Sequence, residues 1–223
     1  MQKFDTPTPV TAVVDVPAGR IQFIAADRAD TTVEVLPANP SKSRDAQAAQ
    51  RTQVAYDDGV LRITAPEANS ELFGSSGSVE VTVQLPAGSH VEVKASCTEL
   101  RGVGRLGDVA HDSALGPVKL DETASARLNL QAGDISIGRL GGDSEISTQH
   151  GDLNIAEAVR GTITLRTEKG DVSIGAARGV SATLDAGTGY GRIHNALKNT
   201  DGAATDLTIH ATTAYGDITA RSL

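Results

Sequence analysis

The chain has 223 residues, with Lys+Arg 20 against Asp+Glu 28 and a formal net charge of −8. That balance argues against a nucleic-acid-binding surface and against a basic membrane-surface patch, both of which need clustered Lys and Arg. Aromatic residues make up only 3% and Trp is absent, so a core built from Val, Ile, Leu and Ala must be narrow.

Cys97 is the only cysteine, so no intrachain disulfide can form. The first residues, MQKFDTPTPV, lack the apolar run of a secretory signal. No apolar stretch reaches the roughly 18 residues of a membrane span. Together these features predict a cytoplasmic location without direct membrane insertion, while still allowing association with the cell envelope.

The first part of the chain predicts ordinary strands at Val10–Val16, Arg20–Ala25, Thr31–Leu36, Gln53–Tyr56, Val60–Thr64 and Val79–Leu85. Val79-Glu-Val81-Thr-Val83-Gln-Leu85 alternates cleanly, as a half-buried strand does. Asp58-Gly59 signals a hairpin turn. Pro17–Gly19 and Pro86–Gly88 repeat the phrase Pro-Ala-Gly at strand ends. Ser41–Arg51, rich in Ala and Gln, predicts the one short helix.

Punctuation changes along the chain. Five glycines precede residue 100 and the other 18 of the 23 follow it, while no Pro follows Pro117. Pro cannot donate to a ladder, so its absence suits strands paired on both edges. Frequent Gly suits corners that need positive φ. The second part also repeats. Gly133-Asp134-Ile135-Ser-Ile137 matches Gly151-Asp152-Leu153-Asn-Ile155 and Gly170-Asp171-Val172-Ser-Ile174. Looser copies begin at Gly116, Gly191 and Gly216. The glycines step by 17, 18, 19, 21 and 25. A second short strand precedes each of the later glycines, at Ala126–Leu130, Ser144–Ser147, Thr162–Leu165, Val180–Leu184 and Leu207–His210.

Such a period cannot bury an apolar face alone, but stacked copies can. The pattern therefore predicts an all-β chain built as a parallel β-helix, or β-solenoid, with N-terminal antiparallel strands as a cap. Residues 1–88 would form the capping region and residues 89–223 the solenoid repeats, in one continuous domain. Ile135, Leu153 and Val172 should make one inward column, and Ile137, Ile155 and Ile174 a second. Gly151 and Gly170 should have positive φ. A small antiparallel sandwich is the rival fold.

The Gly-Asp-apolar-x-apolar copies resemble bacterial β-strand-repeat domains known as proposed adhesins or toast-rack domains. Phe4-Asp5-Thr6-Pro7 and the stretches Ala48–Thr52 and Asp58–Leu61 are similar to actinobacterial members. The resemblance covers nearly the whole chain. It implies a single-stranded right-handed β-helix, in some members linked to envelope-stress signalling and in others accompanying transporter or regulator genes. It supplies no catalytic residues.

Several groups invite a chemical reading. Asp134, Asp152, Asp171 and Asp217 would lie in a row, so calcium on that row is one reading. The spacing of calcium-binding β-rolls is absent, which favours carboxylates bonded to backbone N–H groups. His90, His111, His150, His194 and His210 lack metalloprotease spacing. His111-Asp112 reads as a loop pair and His150 as a corner residue. One reading has Asp143, Glu145, Arg166, Glu168 and Lys169 converge on an outer face, as in a carbohydrate-active β-helix; a solvated charged face explains them more simply. Gly187-Thr-Gly189-Tyr-Gly191 reads as a wide corner and Gly74-Ser-Ser-Gly77 as a flexible loop. No catalytic residue, cofactor or resident metal is assigned.

The expected function is a non-enzymatic adhesin-like scaffold or protein-interaction module, with a carbohydrate-binding or carbohydrate-active β-helix as the alternative. The chain stops one triplet into a last repeat. An open C-terminal end predicts a protein partner or a homodimer there, unless the loop from Asn195 to Asp206 folds over it.

Overall fold

The computed structural model describes residues 1–65, 77–199 and 205–223. In chain order its elements are β1 (Gln2–Asp5), β2 (Thr11–Asp15), β3 (Ala18–Ala26), β4 (Asp30–Pro37), α1 (Ser43–Arg51), β5 (Gln53–Asp57), β6 (Val60–Thr64), β7 (Val79–Pro86), β8 (His90–Leu115), β9 (Val118–Ala132), β10 (Ile135–Leu140), β11 (Ser144–His150), β12 (Leu153–Ala158), β13 (Gly161–Lys169), β14 (Val172–Ala176), β15 (Ala182–Tyr190), β16 (Ile193–Ala196), β17 (Leu207–Tyr215) and β18 (Ile218–Ser222). The strands form two long parallel ladders around one core. A coil contributes a strand to each ladder and turns between them at a corner.

The repeat alignment holds residue by residue. Ile135 pairs with Val118 and Leu153, and Leu153 with Val172. Ile137 pairs with Leu120 and Ile155, and Ile155 with Ile174. All of these side chains are buried, and the polar residue between them faces outward. The second ladder supplies the facing column of Leu128, Ile146, Leu165 and Ala211. Small apolar side chains suffice because facing strands of one narrow coil share the interior.

The N-terminal cap is smaller than expected. The antiparallel pairs are β1 with β4, β4 with β7, and β5 with β6. β2 and β3 instead pair in parallel, β2 with β6 and β8, and β3 with β7 and β8. The Pro17–Gly19 phrase is thus a coil corner, with Gly19 at φ +140°. Alternation of apolar and polar residues does not tell the two pairing senses apart when one face of the sheet is solvated. The stacked coils therefore extend on both sides of residue 88. The helix α1 sits over this end. Its buried Asp45 accepts hydrogen bonds from the amides of Asn39 (3.1 Å) and Ser78 (3.0 Å).

At the far end the spatial order departs from the chain order. β17 pairs with β13 on one side and β15 on the other. β18 likewise lies between β14 and β16. The C-terminal coil is inserted one layer in, and the outermost layer is β15 with β16. β2 and β3 are similarly tucked between the β6–β7 coil and β8.

Candidate functional site

The repeated Asp residues stand on the corners of the coils. Gly133, Gly151, Gly170 and Gly216 have φ of +149° to +153°. Each lies against the carbonyl oxygen of the equivalent residue in the coil below. A Cβ on Gly151 would sit 2.2 Å from the Gly133 oxygen. The following Asp reaches to the next coil. The Asp134 carboxylate accepts from the Asp152 amide at 2.9 Å, Asp152 from Asp171 at 2.8 Å, and Asp171 from Asp217 at 2.7 Å. Asp217 accepts from the Arg192 amide at 2.8 Å and pairs with the Arg192 guanidinium at 2.9 Å. These bonds hold the Asp217 carboxyl below the usual carboxylate range. Every carboxylate in the row thus has one oxygen committed to backbone. Among the described residues no group of three or more His, Cys, Asp or Glu side chains is arranged to hold a metal ion.

A second ladder went unread in the sequence. Thr148, Thr167, Thr213 and Thr188 donate to the carbonyls of Gly133 (3.4 Å), Gly151 (3.1 Å), Gly170 (3.0 Å) and Gly216 (2.9 Å). Thr therefore stands three residues before Gly151, Gly170, Gly191 and Gly216, and the signal was Thr-x-x-Gly, repeated four times. The hydroxyl satisfies a carbonyl that the corner turns away from the strand ladders.

The outer face of the β9–β11–β13 ladder holds a groove of about 680 Å³ whose lining includes His90, Glu92, Asp108, Arg127, Asp143 and Glu145. The Asp108 amide donates to His90 Nδ1 at 3.1 Å, and Ser125 donates to the Asp108 carboxylate at 2.7 Å. Asp143 accepts from the Thr162 amide at 2.7 Å. Glu145 lies in register between Arg127 and Thr164. Of the five charged residues considered together in the sequence, only Asp143 and Glu145 enter this groove. Arg166 and Glu168 line a smaller one of about 330 Å³, and Lys169 stands in register with His150 at the corner. The five do not form one cluster.

His111 is not in a loop. It occupies an inward position of β8, in register with Leu128, and is 2% exposed. Its Nδ1 lies 3.3 Å from the Val93 carbonyl, and among the described residues Nε2 has no hydrogen-bond partner. Burial holds its pKa below the ordinary value, with the Val93 carbonyl and Asp112 opposing that effect. Gly187–Tyr190 is not a wide corner either but continues β15, where Gly187, Thr188 and Tyr190 pair with Thr212, Thr213 and Tyr215 of β17. Gly74 to Ser76 of the expected flexible loop lie outside the described residues. Among the described residues no helix is long and apolar enough to cross a membrane.

Stacked coils with two parallel ladders and an antiparallel end define a β-solenoid. The Toastrack model, DUF4097, matches residues 13–222, and the chain belongs to that family. Among solved structures it is similar to a proposed lipid-binding protein from Parabacteroides distasonis, with 10% identity, 98% of this chain and 95% of that one covered, and a TM-score of 0.50. It is also similar to a proposed adhesin from Bacteroides fragilis, with 14% identity, 98% and 95% covered, and a TM-score of 0.48. A third similarity is to a proposed cell adhesion protein from Clostridium sporogenes, with 13% identity, 100% and 98% covered, and a TM-score of 0.40. A search of curated protein sequences gave no match.

Proposed function

We propose that the chain is a non-enzymatic, adhesin-like scaffold whose outer ladder face holds a protein partner, working in the cytoplasm with envelope-stress or transport machinery. One observation carries the reading. Outward side chains align in register across successive coils, as in the row Arg127, Glu145, Thr164, His210 and Asp185. The coils hold this row at about 4.8 Å per layer, which makes a rigid, pre-organised polar surface of the kind that solenoids offer to extended partners. Photo-crosslinking from position 110, which pairs with Arg127, tests it in the native host. The reading expects one protein to be captured from this face, none from position 136 on the other ladder, and loss of capture in Arg127→Glu. Equal capture from both faces would count against it.

The carbohydrate reading draws on the same groove, because Glu92, Asp108, Asp143 and Glu145 line it beside Arg127. A panel of neutral and acidic glycans separates the two. Binding abolished by Arg127→Glu supports the glycan surface, and turnover abolished by Glu145→Gln would make the chain an enzyme.

A further inference from the structure

The outermost layer, β15 with β16, carries a strand edge that, among the described residues, none of the usual protections covers. Natural edges are blunted by Lys, Pro, bulges or inward charges. β15 reads Ala-Thr-Leu-Asp-Ala-Gly-Thr-Gly-Tyr, with Asp185 as its one charge, and that side chain points outward, 3.3 Å from His210. β16 reads Ile-His-Asn-Ala. Beside them Tyr190 and Tyr215 stack at 5.0 Å with ring planes 4° apart, and they are 72% and 53% exposed. Ile193 is 46% exposed. Two of the three tyrosines of the chain thus stand at this one end, where aromatic side chains are typical of an interface.

Among the described residues the chain covers only the start of the edge. The Asn199 side chain accepts from the Ala182 amide at 2.9 Å and donates to the Ala182 carbonyl at 2.8 Å. Both backbone groups of Ala182 therefore point away from β17. Alternate residues of a strand point the same way, so the amides and carbonyls of Leu184, Ala186 and Thr188 also face the free side. The middle of that window is Ala186.

We infer that this end docks a second copy of the chain, β15 against β15 in antiparallel register about a twofold axis at Ala186. Three features of the edge fit this occupant. The register exchanges backbone hydrogen bonds between Ala186 and Ala186 of the second copy and between Leu184 and Thr188 on either side, using the groups that are free. It keeps the inward positions Leu184, Ala186 and Thr188 over the core of the partner. It also sets Asp185, the only charge, opposite Gly187, so no like charges meet. A single extended peptide would cover one edge, whereas a second solenoid end also meets β16 and Ile193. The sequence placed such a partner on the last segment of the chain. With β18 inside the stack, the outermost strand positions are those of residues 184–193, and the inference sets the partner there. The inference deepens the interaction-module reading at this end alone, and capture on the outer ladder face is unaffected by its failure.

Sedimentation of the full chain over a wide concentration range, in a Cys97→Ser background, tests it. A Cβ at Gly187 meets nothing within 4 Å, so substitutions there leave the fold intact, and circular dichroism verifies this. Gly187→Asp faces Asp185 of the other copy twice and weakens dimerisation about tenfold, while Gly187→Lys keeps or strengthens it. Mixing Asp185→Cys with Gly187→Cys protein gives a disulfide-linked dimer faster than either alone. A chain that stays monomeric at every concentration overturns the inference. So does a dimer indifferent to Gly187→Asp, or growth into head-to-tail oligomers.

Discussion

The amide of Asp217 donates to the carboxylate of Asp171 at 2.7 Å, across 46 positions of sequence. Asp217 in turn accepts from Arg192, which precedes it by 25 positions. The corner row therefore runs Asp134, Asp152, Asp171, Asp217 and then Arg192, and it records the spatial order of the coils. Each Asp is a clamp between layers. Its carboxylate orders the next corner, whose amide would otherwise turn to solvent.

The clamp has a measurable worth. Asp152→Ala removes an acceptor from the Asp171 amide and should cost about 1 kcal/mol, which is about 2–4 °C in Tm for a chain of this size. Asp152→Asn keeps an acceptor oxygen and should cost less. Thermal melts with and without calcium should coincide for the unmodified chain. A calcium-induced rise that Asp152→Asn abolishes would instead make the row a cation site.

The inserted coil gives a contrast between two isoleucines in register. Ile218 is fully buried between Val172 and Ile193, whereas Ile193 is half-exposed on the outermost layer. Ile218→Lys should prevent folding or cost several kcal/mol, because it buries an unpaired ammonium group. Ile193→Lys should cost the monomer only about 0.5 kcal/mol, measured at a protein concentration low enough to keep copies apart. Urea denaturation of both variants decides, and equal tolerance would mean that the last segment of the chain is the exposed one.

The coil order was the part of the fold least legible in the sequence. Hydrophobic spacing tells which face a residue occupies, and it found the columns of Ile135 and Ile137 correctly. It does not tell which coil is the neighbour of which. One cue was available. The inward triplet positions of the last coil are Ile218 and Ala220, both apolar, while those of the preceding coil are Ile193 and Asn195. An inward Asn is costly in the middle of a stack and cheap at its end, so burial selects the later coil for the inside. The candidate groove was partly legible for a related reason. Asp143 and Glu145 were visible as outward charges, but His90 and Asp108 lie well before them in sequence and join them only through stacking. The Thr ladder was written plainly as Thr-x-x-Gly and passed over, because Thr is common in strands.

Corner glycines carry a steric constraint as well as a conformational one. Gly151 combines φ +150° with a Gly133 oxygen 2.2 Å from where a Cβ would stand. Gly151→Ala should therefore already cost about 1–3 kcal/mol, and Gly151→Val more, since the layers must part locally. By contrast, Gly187→Ala on β15 should be silent within about 0.5 kcal/mol. Chemical denaturation of the two Ala variants side by side measures the difference, and similar losses would remove the layer contact as the cause.

His111 links the stability of the chain to pH. Its ring replaces an apolar side chain between Val93 and Leu128 in the inward column, and desolvation favours the neutral form. The folded-state pKa is therefore below the unfolded value of 6.5. As pH falls through 6.5 the unfolded chain takes up a proton that the folded chain refuses, so stability drops with falling pH and levels off only below the folded-state pKa. Above 6.5 both states are neutral and this contribution is constant. His111→Leu removes the titrating group and the unpaired Nε2 together. It should stabilise the chain by about 1 kcal/mol at neutral pH, with a larger gain in mildly acid buffer. Urea denaturation of the two proteins at neutral and mildly acid pH reads this directly. A difference between them that stays constant with pH would show that His111 is not the proton-linked group.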